Sequence, residues 1–216
     1  MSINFSTLIG VGVKVEKLIQ STCITRVDYY SISRTTMKLA YVSITLPESY
    51  TKLLGQLTQK LALHLATHGI TFEPMAESEI HMTLAFMGHK LTGSSKESLL
   101  ELYEVIEVFN QNLSACDFEF TQYDYFPETK RNLFVARYQP RKVGLQKIKE
   151  LKLQLDAMGF LDEKLTDEFA AHITLGKIMS KDRYQFDWEE LRSQIRKVGN
   201  FQSEGCHLRG WNSVGQ

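Results

Sequence analysis

Residues 79–88 read "EIHMTLAFMG", and residues 171–177 read "AHITLGK", so the chain carries His-x-Thr-Leu twice, 172 − 81 = 91 residues apart. In a strand, alternate side chains leave opposite faces. His81 and Thr83 therefore share one face while Met82 and Leu84 share the other, and the second copy repeats the split. Leu84 and Leu175 are expected to anchor a buried face so that the opposite face presents His and Thr.

Outward from these strands, the preceding segments also match. Leu54, Leu57, Leu61 and Leu65 recur at helical steps and Gly69 stands where a left-handed cap belongs. Leu145, Ile148, Leu151, Leu155 and Met158 form a second such stripe, closed by Gly159. The cap-to-histidine distances are 81 − 69 = 12 and 172 − 159 = 13 residues. This spacing indicates an internal duplication of a helix-plus-strand unit. A solenoid needs three or more units, so two point to a two-lobed α+β domain with pseudo-twofold symmetry. Antiparallel-rich sheets flanked by helices should enclose a central groove.

The remaining segments fill in around the repeat. "KLAYVSITL" (38–46) reads as a buried strand, and Pro47 with Glu48 opens a helix of about five turns. "ITFEP" (70–74) is a short strand, and residues 94–113 form a helix with a serine cap ahead of Glu97. "DFEFTQYDYF" (117–126) and "NLFVARY" (132–138) are strands joined by "PETKR". A last helix is expected within residues 179–199, packed through Trp188 and Leu191, and a closing strand within 205–215. Residues 1–37 read as an N-terminal extension or edge hairpin, and residues 38–216 as the domain.

Composition bounds the function. The chain has 216 residues, of which 43% are hydrophobic, enough to fill a core. Lys plus Arg (25) equals Asp plus Glu (25), which gives no support for coating long nucleic acid through counterion release. A small or end-on anionic ligand remains compatible. Cys23, Cys116 and Cys206 are odd in number and in no C-x-x-C pair, which argues against a disulfide framework or a cysteine-rich zinc site. The first residues lack a basic region and a cleavage pattern, and no apolar run reaches membrane-span length. A cytoplasmic monomer without membrane contact is expected.

An imidazole beside a hydroxyl moves a proton and holds an oxygen. Two such pairs facing each other suit in-line phosphoryl chemistry. A neutral histidine takes a proton from the attacking hydroxyl or water, a protonated one gives a proton to the leaving oxygen, and the threonines hold nonbridging oxygens. Histidine titrates near neutrality, so both forms are accessible together. Neither a metal nor a cofactor is required.

The paired "HMTL" and "HITL" strands resemble the signature of the two-histidine phosphoesterase superfamily. The resemblance is closest to the RNA 2',3'-cyclic phosphodiesterases once called 2'-5' RNA ligases and runs from about Lys38 to Lys177. "YVSITLPESY" resembles the family's opening strand and helix start, and "YFPETKRNLFVARY" its central Phe-Pro, basic loop and strand. The resemblance implies that His81 and His172 are the catalytic pair and that Thr83 and Thr174 bind phosphate. Lys177, five residues after His172, stands where the family often has an arginine; it keeps the charge but not the bidentate fork. Phe126 and Arg131 are candidate substrate contacts, by base stacking and by charge. Residues 1–37 and "LRGWNSVGQ" depart from the family pattern.

The implied activity is metal-independent hydrolysis of a 2',3'-cyclic phosphate or a 2'-5' linkage in RNA or an oligonucleotide. Two alternatives stand beside it. One is cleavage of 2'-5' oligoadenylate or a cyclic dinucleotide to antagonise immune signalling; the other is noncatalytic binding of a nucleotide or RNA end. His64 and His68 have the i, i+4 spacing of a zinc pair but lack the intervening glutamate and a third ligand. His89 is a rim or solvated residue, and His207 has no evident partner in the sequence. The basic stretch Lys130, Arg131, Arg137, Arg141, Lys142, Lys147, Lys149 and Lys152 reads either as a guide for an RNA end or as a solvated helix face.

Overall fold

The computed structural model describes residues 39–113, 116–126, 132–165, 169–179 and 188–210. The expected extension at residues 1–37 and the "PETKR" loop with Arg131 lie outside them. In chain order the elements are β1 (Ala40–Ile44), α1 (Glu48–Thr67), β2 (Phe72–Pro74), a 3-10 turn (Glu77–Glu79), β3 (Met82–Gly88) and α2 (Lys96–Leu113). Then follow β4 (Asp117–Phe126), β5 (Leu133–Pro140), α3 (Lys142–Ala157), β6 (His172–Ile178), α4 (Trp188–Gln194), β7 (Phe201–Gln202) and β8 (Cys206–Arg209). All strand pairs are antiparallel. No described helix is long and apolar enough to cross a membrane.

The strands join in one open sheet in the order β7-β4-β5-β6-β3-β1-β8, with β2 added against β6. The two expected lobes are halves of this sheet, meeting where β3 and β6 pair through Met82 and Ile173. Each half is a strand, helix and strand: β1-α1-β3 and β5-α3-β6. The duplicated unit is thus one strand longer than helix and histidine motif alone. That first strand is hard to match by spacing, because turn lengths differ between the copies.

The two helices end alike. Gly69 and Gly159 have φ of 73° and 75°, in the left-handed region that glycine enters without Cβ strain. In each copy the following amide closes the turn on a leucine carbonyl, Ile70 to Leu65 at 3.0 Å and Phe160 to Leu155 at 2.9 Å. The stripes pack as the spacing predicts: Leu54, Leu61, Leu65, Ile148, Leu151 and Leu155 are buried, while Leu57, Leu145 and Met158 are half-buried. At the start of α2, Ser95 Oγ accepts from the Ser98 amide at 3.1 Å, the expected serine cap.

After its closing glycine, each half reaches across to the other. β2 pairs with β6 through Phe72–Ile178, Glu73–Lys177 and Pro74–Gly176. In return the Asp162 amide donates to Phe86 O at 2.9 Å, and the Phe86 amide donates to Glu163 Oε1 at 3.3 Å. Helix α4 ends at Gln194 rather than continuing toward Gly199; Leu191 packs in the core as expected. The closing strand is real: β8 pairs with β1.

Candidate active site

The pairing of Met82 with Ile173 fixes the motif geometry. One step either way along an antiparallel ladder sets His81 against Thr174 and Thr83 against His172. Each histidine of one strand thus lies beside the threonine of the other. Met82, Leu84, Ile173 and Leu175 are at most 1% exposed on the opposite, core face. The four polar residues are each half-buried. Local alternation and one cross-strand pair are sufficient to bring them together.

Both imidazoles are oriented by the same device. His81 Nδ1–H donates to Glu79 O at 2.6 Å, and His172 Nδ1–H donates to Ala170 O at 2.9 Å, each carbonyl two residues upstream. The tautomer is thereby set, leaving Nε2 of each ring for proton exchange. Each ring also lies on an aromatic: Tyr41 stacks on His81 at 4.8 Å and Phe126 on His172 at 4.4 Å between centroids. Phe126 additionally has the Arg137 guanidinium 5.6 Å from its ring centre.

The surroundings favour neutral imidazoles. Burial holds His81 below the usual histidine value, and the charges of Arg209 and His172 push the same way against the Glu79 carbonyl and carboxylate. Burial likewise depresses His172, with Arg137 adding to it and the Ala170 carbonyl opposing. Arg137, the cross-strand neighbour of His172, is itself paired with Asp124 at 3.3 Å.

A bulge follows each motif. Opposite β6, Phe134 pairs with Gly176 but Val135 pairs with Thr174; opposite β1, Val42 pairs with Ala85 but Ser43 pairs with Thr83. The extra residue in each motif strand shifts the alternation by one. Lys177, five residues after His172, would sit on the core face of a regular strand; the bulge turns it to the site face, where it is exposed. Its mate, five residues after His81, is Phe86, half-buried and paired with Tyr41. The repeated Thr-Leu followed by a small residue was the available sequence signal for both bulges.

The sequence places the closing strand but not what its side chains meet. His207 is partnered: its Nδ1–H donates to Thr45 Oγ1 at 2.9 Å, and its Nε2 accepts from Arg209 Nε at 2.7 Å. Ser43 Oγ is 3.3 Å from the same Nε2. The pairs Ser43–His207 and Tyr41–Arg209 put both β8 side chains on the face of His81 and Thr83. No motif marks these residues, because only the register of β8 on β1 brings them there.

The set-aside residues lie elsewhere. His64 on α1 and His68 just past its end are exposed with ring centres 4.8 Å apart, and no group of three His, Cys, Asp or Glu among the described residues is arranged to hold a metal. His89 is exposed beyond β3. Members of the basic stretch are engaged locally. Arg141 meets Asp117 and Glu119, each at 3.1 Å, Lys152 meets Glu163 at 2.9 Å, and Lys147 donates to Asn112 O. A shallow cavity against Asp117, Arg141 and Gln202 is at the far sheet edge, away from the histidines.

No family model matches the sequence, and no curated protein matches it. Among solved structures, the chain is similar to Usb1 of Kluyveromyces marxianus, at 9% identity and a TM-score of 0.50, covering 84% of this chain and 99% of that one. It is also similar to TT0787 of Thermus thermophilus, at 16% identity and 0.48, covering 79% and 86%. E. coli LigT complexed with NADP+ matches at 19% identity and 0.44, covering 66% and 73%. At such identities the likeness is one of fold: mixed helix and antiparallel sheet, consistent with the two-histidine phosphoesterase fold.

Proposed function

We propose that this fold serves a phosphodiesterase that opens a 2',3'-cyclic phosphate or a 2'-5' linkage at an RNA or oligonucleotide end, with His81 and His172 as acid and base. The observation that carries this reading is the pairing of Met82 with Ile173, which brings His81, Thr83, His172 and Thr174 to one face where β3 meets β6, with both Nδ1–H groups tied to backbone. In the reaction, Nε2 of one neutral histidine takes the proton of the attacking water. Nε2 of the other, protonated, delivers a proton to the leaving ribose oxygen. Thr83 and Thr174 donate to the nonbridging oxygens, where charge builds up in the transition state. Lys177 adds positive charge from the exposed end of the site face. The symmetry leaves the two histidines interchangeable until the substrate is oriented.

The test is a panel of 2',3'-cyclic nucleotides, 2'-5' and 3'-5' oligoadenylates and cyclic dinucleotides, scored by product. His81→Ala or His172→Ala is expected to lower turnover about a hundred- to ten-thousandfold with the melting curve preserved. Added chelator is expected to change nothing. Turnover that survives in the double histidine variant would sink the assignment, and nucleotide binding without hydrolysis across the whole panel would leave a binding protein in its place.

A further inference from the structure

The arginines near the site are treated differently. Arg137 beside His172 is neutralised by Asp124, and Arg192, also half-buried, pairs with Glu189. Arg209 is half-buried on the site face, yet among the described residues no carboxylate pairs with it. Its Nε donates to His207 Nε2 at 2.7 Å, and one terminal nitrogen donates to Ser78 O at 3.5 Å. Ser78 lies in the 3-10 turn whose Glu79 carbonyl orients His81.

Both acceptors are neutral. His207 must present a bare Nε2 to accept from an arginine, and Thr45 takes the Nδ1 proton, so the ring carries no charge. A guanidinium held by a carboxylate has its charge cancelled; one held by an imidazole and a carbonyl keeps its charge while losing its freedom. Leaving a half-buried cation beside an imidazole that it disfavours is costly unless an anion arrives. The remaining donors of Arg209 match the oxygens of a phosphate.

The strand that carries Arg209 is firmly placed. The Cys206 amide donates to Asn110 Oδ1 at 2.9 Å. Gly205, at φ 120°, lies where an added Cβ would strike that same side-chain oxygen. Thr45 is bonded to this turn through both backbone groups, to Gly205 O and from the Glu204 amide, each at 2.9 Å. The support reaching Arg209 through Thr45 and His207 is therefore anchored at its root.

We infer that Arg209 is a phosphate-binding residue beside His81, and that His207 is the neutral positioning residue that aims it. This rests on the phosphodiesterase reading for its biological ligand, and it commits to a phosphate group as the chemistry recognised. That phosphate is either the reacting one or its neighbour in an oligonucleotide.

Inorganic phosphate is the direct probe, titrated by NMR into the full-length chain with the His81 and His172 ring signals followed. Arg209→Gln is expected to weaken phosphate binding about tenfold, as loss of a charge-assisted contact does, with Arg209→Lys intermediate. His207→Gln, which retains a neutral acceptor, should stay near the parent. His207→Glu gives Arg209 the carboxylate that Arg137 already has, and should weaken phosphate binding as much as Arg209→Gln. A purely structural role for His207 predicts no such loss, since an ion pair there would hold β8 at least as well. With a 2',3'-cyclic mononucleotide, which has one phosphate, a rise in KM in Arg209→Gln identifies the reacting phosphate. A rise confined to oligonucleotides identifies the neighbour.

Unchanged phosphate affinity in Arg209→Gln and His207→Glu overturns the inference. Should Arg209→Gln fail to fold, the contrast of His207→Gln with His207→Glu decides it. If both histidine-to-alanine variants kept turnover, the acid–base reading would fall while the phosphate titration still reported on Arg209.

Discussion

A histidine that exchanges protons needs a fixed tautomer and a value near the working pH. His81 and His172 have the first through Glu79 O and Ala170 O. Their values are depressed, chiefly by burial, so in the free protein both rings stay neutral at pH 7. The proposed reaction needs one of them protonated. The optimum of kcat/KM is therefore expected below about pH 6.5, the ordinary histidine value. A bound phosphate anion favours the imidazolium, which moves the optimum of kcat upward relative to that of kcat/KM. Measuring both profiles checks this; coincident optima above pH 7 would contradict it. The aromatic supports belong to the same scale. Tyr41→Ala is expected to lower kcat about tenfold by loosening His81, with the fold retained by circular dichroism.

At the scale of elements, the bulges and straps decide what each strand presents. Gly176 lies in the β6 bulge, where an added Cβ would strike the Phe72 ring and the Glu73 carbonyl. Gly176→Ala is expected to cost about 1–3 kcal/mol by pushing β2 off β6, read as a lower denaturant midpoint. The equivalent position in the first half is Ala85, buried without difficulty. This difference explains what the sequence made legible. His-x-Thr-Leu, the leucine stripes and the closing glycines depend on neighbours within a few residues, so periodicity exposes them. The reach of each half across to the other and the meeting of His207, Arg209 and Tyr41 depend on cross-strand register, which no local pattern encodes. Resemblance alone singles out Lys177, and only the bulge brings it to the face of the two motifs.

For the described body as a whole, three half-buried histidines on one sheet face resist protonation. Burial is the leading cause for His81, His172 and His207, with Arg209 and His81 adding to the effect on His207. In the unfolded chain each titrates near 6.5, above its folded value, so between the two values the unfolded state binds more protons. Stability is then full above about pH 6.5 and is lost as pH falls through the folded values. Melting temperature is expected to drop from pH 7 to pH 5, and to drop less in His81→Ala. A flat profile would show that burial does not oppose these protons. Phosphate, by drawing a proton onto the site, should soften the same decline.

The matched bulges have a consequence for how such a site diversifies. Positions 86 and 177 are equivalent sockets: each projects onto the working face, and each is gripped from behind by the opposite half, through Asp162 and Glu163 or through Glu73. One socket holds a phenylalanine and the other a lysine. Because Leu84 and Leu175 are held in the core and the His81 and His172 rings by their own carbonyls and aromatics, either socket accepts a new residue without redrawing the proposed centre. A change of ligand preference is thus separable from the chemistry, one socket at a time.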